Sequence, residues 1–362
     1  MIDWTKTMQQ TFEFYTVDTT SWKDFQRIEN VESCTITRDS STNLLESATI
    51  DSSDKLSEQY VRIYLIAAQD NEKEKIPLGT FLVQSPSYSF DGKKFTNSID
   101  AYSPLTELKE NAPEIGYTIL KETKNSTETI KTNILENAVS VISEHVRAPV
   151  IESLSNSTLY YDFTANTDDT WLSFVTDLLQ NASYHIELDA LGNILLAPDQ
   201  KINTLQPVWT YTDDNSSILA PDISVKRDFY EIPNIVEVIY SSGNNYFYSK
   251  AVNDDPNSPT SIPSRGREII KRITNPDLVG NPTNSQIDWY AKNTLESLST
   301  LEYTIDYTHG YCPVRVGDCV LIDYRKADLR NIKAKVTKQT INCETSCSVS
   351  ETAVFTQTLW EA

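Results

Sequence analysis

Polar and apolar residues alternate through much of the first hundred positions. Cys34-Thr35-Ile36-Thr37 and Val61-Arg62-Ile63-Tyr64-Leu65 alternate strictly, which predicts strands with one dry and one wet face. Residues 12–17 are aromatic-rich and partly alternating, and Phe81-Leu82-Val83 follows Gly79. Tyr88-Ser89-Phe90 and Phe95-Thr96-Asn97-Ser98-Ile99 flank Asp91-Gly92, where glycine supplies the positive φ of a tight hairpin turn. Half a dozen strands at this spacing predict a sandwich or small barrel over 1–105.

The period then lengthens. Within 126–145, Ile130, Ile134, Ala138, Val141 and Ile142 share one helical face, and Pro149 stops the pattern. A second helix is expected to start at Thr167-Asp168-Asp169, whose side chains can cap free amides and oppose the helix dipole. It places Trp171, Val175, Leu178, Leu179 and Ala182 on one side. Tyr184-His185-Ile186-Glu187-Leu188, a Gly192-Asn193 turn and Ile194-Leu195-Leu196 make a hairpin, giving an α/β module over 106–205 that ends at Pro198 and the polar stretch after it.

Strands return over 206–362. Ile235-Val236-Glu237-Val238-Ile239-Tyr240 is apolar enough to be buried on both faces, and Asn253-Asp254-Asp255-Pro256-Asn257-Ser258-Pro259 reads as a loop rich in turns. One helix interrupts, with Ile287, Ala291, Leu295 and Leu298 in register. Tyr303-Thr304-Ile305-Asp306, Cys319-Val320-Leu321-Ile322 and Ala334-Lys335-Val336 follow as strands, with a turn at Gly317-Asp318. The expected fold is mainly β with an α+β insertion: two β-barrel or sandwich domains, 1–105 and 206–362, joined by an α/β module at 106–205.

Charge narrows the function. The 362 residues hold 31 Lys+Arg against 51 Asp+Glu, a net charge of −20, and 106–205 alone carries 15 acids against 6 bases. A specific grip on nucleic acid needs the opposite balance. No run approaches the roughly 18 apolar residues that cross a bilayer, so no membrane span is expected. Met1-Ile2-Asp3-Trp4 lacks the basic and apolar regions of a signal peptide, so a protein made in the cytosol is expected.

Candidate chemistry is sparse. The chain has nine glycines and no Gly-rich phosphate loop, no Gly-x-Ser-x-Gly elbow and no His-Glu-x-x-His helix. Of five cysteines, Cys34 stands alone, and Cys312, Cys319, Cys343 and Cys347 crowd the last 51 residues. An odd count makes a poor disulfide framework. The Cys312-x6-Cys319 spacing is too long for a zinc knuckle, so these thiols read as small buried side chains in strands. Asp168-Asp169 fits a helix start and Asp254-Asp255 a turn. His145 ends a helix, His185 sits in a strand and His309 in a loop, none with an acid or nucleophile beside it in sequence. No catalytic, cofactor-binding or metal-ligating residue is therefore assigned and no cofactor is expected, although partners can converge in space. Carboxylates that meet only in three dimensions would make a cell-wall hydrolase, while 19 tyrosines and six tryptophans leave room for a monomeric carbohydrate-binding β protein.

Three stretches together resemble the hub proteins of phage tails, the family of contractile-phage baseplate hubs, tail-tip hubs of Gram-positive phages and the amino-terminal region of type VI secretion spikes. They are Leu78-Gly79-Thr80-Phe81-Leu82-Val83-Gln84-Ser85-Pro86 with the Asp91-Gly92 hairpin and Asp100-Ala101-Tyr102-Ser103-Pro104-Leu105; Asp169-Thr170-Trp171-Leu172-Ser173-Phe174 through Gly192; and 251–261 with Arg265-Gly266-Arg267, Trp289-Tyr290-Ala291 and Val316-Gly317-Asp318-Cys319-Val320. The resemblance implies two tail-tube-like domains flanking the middle module, a homotrimeric ring, and partners in the tail tube or distal tail protein and in the spike or tape-measure protein. It implies a structural virion component at the tail tip or baseplate, assembled in the host cytoplasm, through which DNA passes. Related tail proteins often continue into a peptidase or lysozyme domain. This sequence stops at Trp360-Glu361-Ala362, so wall-degrading activity is expected on another chain. No glycine stands near Lys124-Asn125, where the family would have one before its first middle helix.

Overall fold

The computed structural model describes residues 2–93, 95–124, 129–151, 157–227, 229–230, 232–242, 245–276 and 283–361. The chain is mainly β and divides into two compact units, the first made of Met1–Asp222, Tyr307–Asn331 and Lys335–Thr352, the second of Ile223–Asp306, Ile332–Ala334 and Ala353–Ala362. Residues 1–105 and 106–205 thus lie in one unit, and 206–362 contributes to both.

In the first unit, seven strands follow one another: β1 (Gln9–Asp18), β2 (Lys23–Ile28), β3 (Val31–Asp39), β4 (Glu46–Ser52), β5 (Tyr60–Gln69), β6 (Glu72–Phe90) and β7 (Phe95–Tyr102). Their order in the sheet is β2, β1, β5, β6, β7, β4, β3, and β3 then pairs antiparallel with the strand Leu329–Asn342. Pro207–Thr212 joins through a parallel pairing with Cys319–Tyr324. The sheet does not close into the expected barrel. β2 pairs with β1 alone among the described strands, and its six residues are exposed except Ile28. Lys23, Asp24 and Arg27 on such a short edge discourage further pairing.

Two strand features differ from the sequence expectation. β5 has no wet face, because Tyr60 to Ala67 are all buried, Arg62 included. The Arg62 guanidinium donates to Thr80 Oγ1 (2.8 Å) and to the carbonyls of Trp22 and Leu191, and pairs with Asp24, which is how a cation survives there. The Asp91-Gly92 hairpin forms as expected, with Phe90 opposite Phe95 and Gly92 at φ +96°.

Three helices follow: α1 (Thr106–Lys109), α2 (Ile134–His145) and α3 (Trp171–Gln180). α2 starts later than the periodicity implied, while Asn125 and Ser126 lie outside the described residues. Asn133 caps α2 by accepting from Leu135 N and Glu136 N. The β-branched stretch before it pairs instead as strand Thr129–Lys131, leaving Ile130 exposed. α3 is capped by Thr170, not by the two aspartates: Thr170 Oγ1 accepts from Ser173 N, and the Ser173 side chain returns the bond. Ala182 lies past its end. Buried Ile134, Ala138, Val141 and Ile142 of α2 share one core with Trp171, Phe174, Val175, Leu178 and Leu179 of α3.

The hairpin Tyr184–Leu188 with Ile194–Pro198 completes this region. Its turn is anchored through one carbonyl, that of Leu191, which accepts from Trp22 Nε1 (2.9 Å), Thr80 Oγ1 (2.9 Å) and Arg62 Nη2 (3.0 Å). Gly192 beside it has φ +77°, and a Cβ there would stand 2.7 Å from Thr80 Cβ. Only glycine fits.

In the second unit, Ile235–Ser242 pairs antiparallel with Asn245–Val252 and parallel with Ile270–Thr274. The helix α4 (Ile262–Arg265) precedes α5 (Asn284–Leu298), which buries Ile287, Ala291 and Leu295 against Val236, Val238 and Ala251. Leu298, expected on that face, is partly exposed at the helix end. The loop after Val252 is less of a surface turn than its composition suggests. Asn253 is wholly buried and donates to Ser258 Oγ (2.9 Å) and Thr260 Oγ1 (3.3 Å).

Candidate functional site

The residues singled out in sequence fall apart into ordinary structural roles, with two exceptions. Asp169 accepts from Asn166 N (2.7 Å) and Ser173 Oγ (3.1 Å) before α3, and Asp255 accepts from Asn257 N (2.9 Å) in a turn. The His145 ring stacks on Trp171 at 4.3 Å between centroids. All five cysteines are buried and free. Cys319 is in a strand; Cys312 and Cys343 sit just past strand ends, where the ladder yields to loops. Among the described residues no three His, Cys, Asp or Glu side chains are grouped to hold a metal ion.

The first exception is His309. It lies in the strand Thr300–Gly310, not in a loop, and has the acid and thiol neighbours that sequence proximity could not reveal. Its Nε2 is 3.3 Å from Glu351 Oε1, its Nδ1 is 3.9 Å from Cys312 Sγ, and Tyr211 OH is 3.1 Å from Nε2. Glu351 also accepts from Tyr307 OH (2.7 Å), Tyr211 OH (3.2 Å) and Gln339 Nε2 (2.6 Å). Burial works to lower the His309 pKa, but Cys312 and Glu351 beside it prevail and raise it to about 10. Burial likewise opposes ionisation of Glu351, and the His309 cation, Tyr307 and Gln339 overcome it to hold its pKa below the usual range. Both tyrosine hydroxyls are pushed well up, by burial first and then by the Glu351 charge.

Thiol, imidazole and carboxylate in line suggest a nucleophile, a base and its orienter. The geometry argues otherwise. His309 Nδ1 is 2.6 Å from the Gly310 carbonyl oxygen and so donates its proton there, while Nε2 faces a carboxylate. An imidazolium bonded in this way has no lone pair to take a proton from Cys312. Cys312 and Glu351 are almost completely buried. This is an ion pair within the core.

It continues into a second buried pair. Arg38 donates to Gln339 Oε1 and to the Leu78 carbonyl, and its Nε is 3.3 Å from Glu46 Oε1. Glu46 takes a further bond from Arg315 Nη2 (2.6 Å), and Arg315 Nη2 also reaches the Leu188 carbonyl (3.3 Å). Burial, with the Arg315 charge nearby, lowers the Arg38 pKa to about 10.

The second exception, His185, borders an open cavity of about 390 Å³ lined also by Arg38, Glu46, Glu187, Asp199 and Lys335. Its Nε2 is 3.0 Å from Glu187 Oε1 and its Nδ1 2.7 Å from Asp199 Oδ1. Glu187 raises the His185 pKa most, burial lowers it and Asp199 raises it further; His185 in turn lowers that of Glu187. With carboxylates on both nitrogens, this imidazole too is occupied.

No family model and no curated protein matches the sequence. The fold has close counterparts among solved structures. The tail protein from Neisseria meningitidis superposes with a TM-score of 0.59 at 12% identity, covering 96% of each chain. The 43 kDa tail protein of prophage MuSo2 from Shewanella oneidensis gives 0.59 at 10% identity over 95% of this chain and 98% of that one. The Francisella PdpA–VgrG complex gives 0.52 at 9% identity, covering 96% of this chain and 53% of the other. From end to end, the chain has the fold of these tail proteins, shared with the Francisella PdpA–VgrG complex.

Proposed function

We propose that this protein is a structural hub of a phage tail tip or baseplate, without enzymatic activity of its own. The observation that carries the reading is co-extension: two tail proteins cover 96% and 95% of this chain and are themselves covered almost completely, so the likeness is to whole tail proteins and not to a borrowed domain. The occupied imidazoles of His309 and His185 support the non-enzymatic part. In this reading 1–105 and 206–362 are the tube-like parts and 106–205 the middle module. Three copies form a ring that joins the tail tube or distal tail protein to the spike or tape-measure protein, in a virion assembled in the host cytoplasm.

Such a ring carries 3 × −20 = −60 formal charges. Duplex DNA presents about one negative charge per ~1.7 Å, so an acidic wall lets it pass without the counterion release that would hold it. A reconstruction of the assembled particle tests the reading. Three copies around the tail axis are expected; six copies, or an off-axis position, would overturn it. Solubilisation of purified peptidoglycan by the isolated chain would overturn the non-enzymatic part.

A further inference from the structure

Four side chains of the first sheet surround the ammonium group of a fifth. Glu13 and Tyr15 of β1 share a face with Tyr64 of β5, since Glu13 stands opposite Tyr64 in their antiparallel register. Lys75 of β6 pairs with Ile66, two residues along β5 from Tyr64 and so on the same side. Asp24 reaches in from the edge strand β2. Lys75 Nζ stands 4.0 Å from the centroid of the Tyr15 ring and 3.9 Å from that of Tyr64. The next shortest cation–ring contact among the described residues, Arg147 on Tyr60, is 5.1 Å.

The two rings are fixed at their hydroxyls. They meet edge to face, with centroids 5.8 Å apart and planes at 87°. Tyr15 OH donates to Glu13 Oε2 (3.0 Å) and Tyr64 OH to Asp24 Oδ1 (3.0 Å). Each carboxylate also turns one oxygen to an arginine: Glu13 Oε1 to Arg27 (3.7 Å) and Asp24 Oδ1 to Arg62 (3.2 Å). The other oxygens, Glu13 Oε2 and Asp24 Oδ2, face Lys75 Nζ at 3.7 Å and 3.6 Å. Both distances exceed a hydrogen bond. The ring quadrupoles and two negative charges therefore hold the ammonium, without directed N–H bonds to either acid. The Glu13 and Asp24 side chains are 19% and 27% exposed, dry enough to strengthen the ring contacts, while Lys75 at 39% keeps a path to water. Its head is a strongly hydrated charge on a flexible stem, so it can leave the cage.

We propose that Glu13, Tyr15, Asp24 and Tyr64 form a binding site for an organic ammonium ion, and that Lys75 is its tethered, displaceable occupant. The inference goes beyond the hub reading and does not depend on it. A tethered group competes at an effective concentration of about millimolar or above, so in the wild type Lys75 masks the site from weak ligands. A quaternary headgroup and a lysine-like primary amine share the chemistry the cage recognises, and separate probes tell them apart.

Isothermal titration calorimetry of the full chain at constant ionic strength tests it. The probes are tetramethylammonium and n-butylammonium, with 3,3-dimethyl-1-butanol, the uncharged analogue of choline, as control. Lys75→Ser is expected to bind at least one of the two ions about tenfold or more tightly than the wild type does, and the alcohol no more tightly. The ion with the larger gain identifies the source. Adding Tyr15→Leu to Lys75→Ser should abolish the gain with circular dichroism unchanged, and Glu13→Gln takes its place if that fold is lost. Lys75→Thr, suited to a strand, replaces Lys75→Ser on the same condition. Binding no tighter without Lys75 than with it would overturn the proposal. So would a gain that the alcohol shares or that survives the loss of Tyr15 or Glu13, and each of these outcomes leaves the ring reading standing.

Discussion

Arg38 and Gln339 face each other across an antiparallel strand pair, 301 residues apart in sequence, and Arg38 donates to the Gln339 amide oxygen inside the core. Gln339 uses its other end on Glu351 (2.6 Å) and on the Val314 carbonyl (2.9 Å), so one amide links the Arg38–Glu46 pair to the His309–Glu351 pair. The polar groups at this junction leave little freedom for the register between β3 and the strand Leu329–Asn342, because a slip of one residue would bury charges without partners. Arg38→Met is therefore expected to cost about 3–5 kcal/mol, the usual result of breaking a buried pair on one side. Urea unfolding monitored by tryptophan fluorescence measures it, and a loss under about 1 kcal/mol would show that Arg315 alone satisfies Glu46.

Gly192→Ala tests how the hairpin turn is held on the first sheet. The substitution meets a left-handed backbone and the Thr80 side chain together. A loss of about 1–3 kcal/mol is expected from the backbone strain, more if the Leu191 carbonyl is pulled from its three donors. Gly192→Ala combined with Thr80→Ala should recover part of the loss in thermal unfolding, since the close contact is then relieved and the φ strain remains.

Trp171→Ala should damage folding. The indole is buried at the start of α3, edge-on to Tyr117 (4.9 Å) and stacked on His145. Removing a buried tryptophan costs about 3–5 kcal/mol. An unchanged melting temperature would contradict this packing.

How much of this was legible in sequence depends on the range of the interaction that decides it. The Asp91-Gly92 hairpin, the Trp171 helix face and the Gly192 turn are local, and period and turn chemistry reveal them. Ile130 continued a helical period but went to a strand, because the Asn133 cap and the β-branched residues before it outweigh the spacing. Arg62 looked like a wet-face residue, and three carbonyl or hydroxyl acceptors brought by distant segments made it a core one. His309 was the larger miss. Tyr307 and His309 occupy the same inward register of one strand, and Glu351 follows Val349 by two in another, so alternation did mark them as core positions. What it could not supply was that the two inward registers meet.

All five thiols are expected to be unreactive in the native protein and to titrate fully once it is denatured. Each is buried, and burial pushes the Cys347 thiol well up while the Cys34 contact and burial do the same for Cys343. Thiolate is the reactive form, so both burial and low ionisation slow attack. Ellman titration in guanidinium giving markedly fewer than five, or stoichiometric zinc by elemental analysis, would contradict the free core thiols.

The last prediction concerns alkaline stability. The His309 pKa is raised in the folded state, so the stabilisation from its protonation is complete below the unfolded value of about 6.5 and is lost as pH climbs towards about 10. Glu351 has the opposite sign: its contribution is present above the ordinary carboxylate range and lost only as pH falls through its lowered folded value. His185, raised by Glu187 and Asp199, acts in the same direction as His309 but from a half-exposed position, where solvent screens the effect. Between pH 7 and 10 the melting temperature should therefore fall steadily, with His309 the main contributor. Glu351→Gln separates the two histidines. It removes the carboxylate that favours the His309 cation, so the variant should be less stable at neutral pH yet show a flatter decline towards pH 10. A variant whose stability falls with pH as steeply as the wild type would take the alkaline loss from His309 and leave it to His185 and to the buried Cys343 and Cys347 thiols, whose raised values act in the same direction near the top of this range.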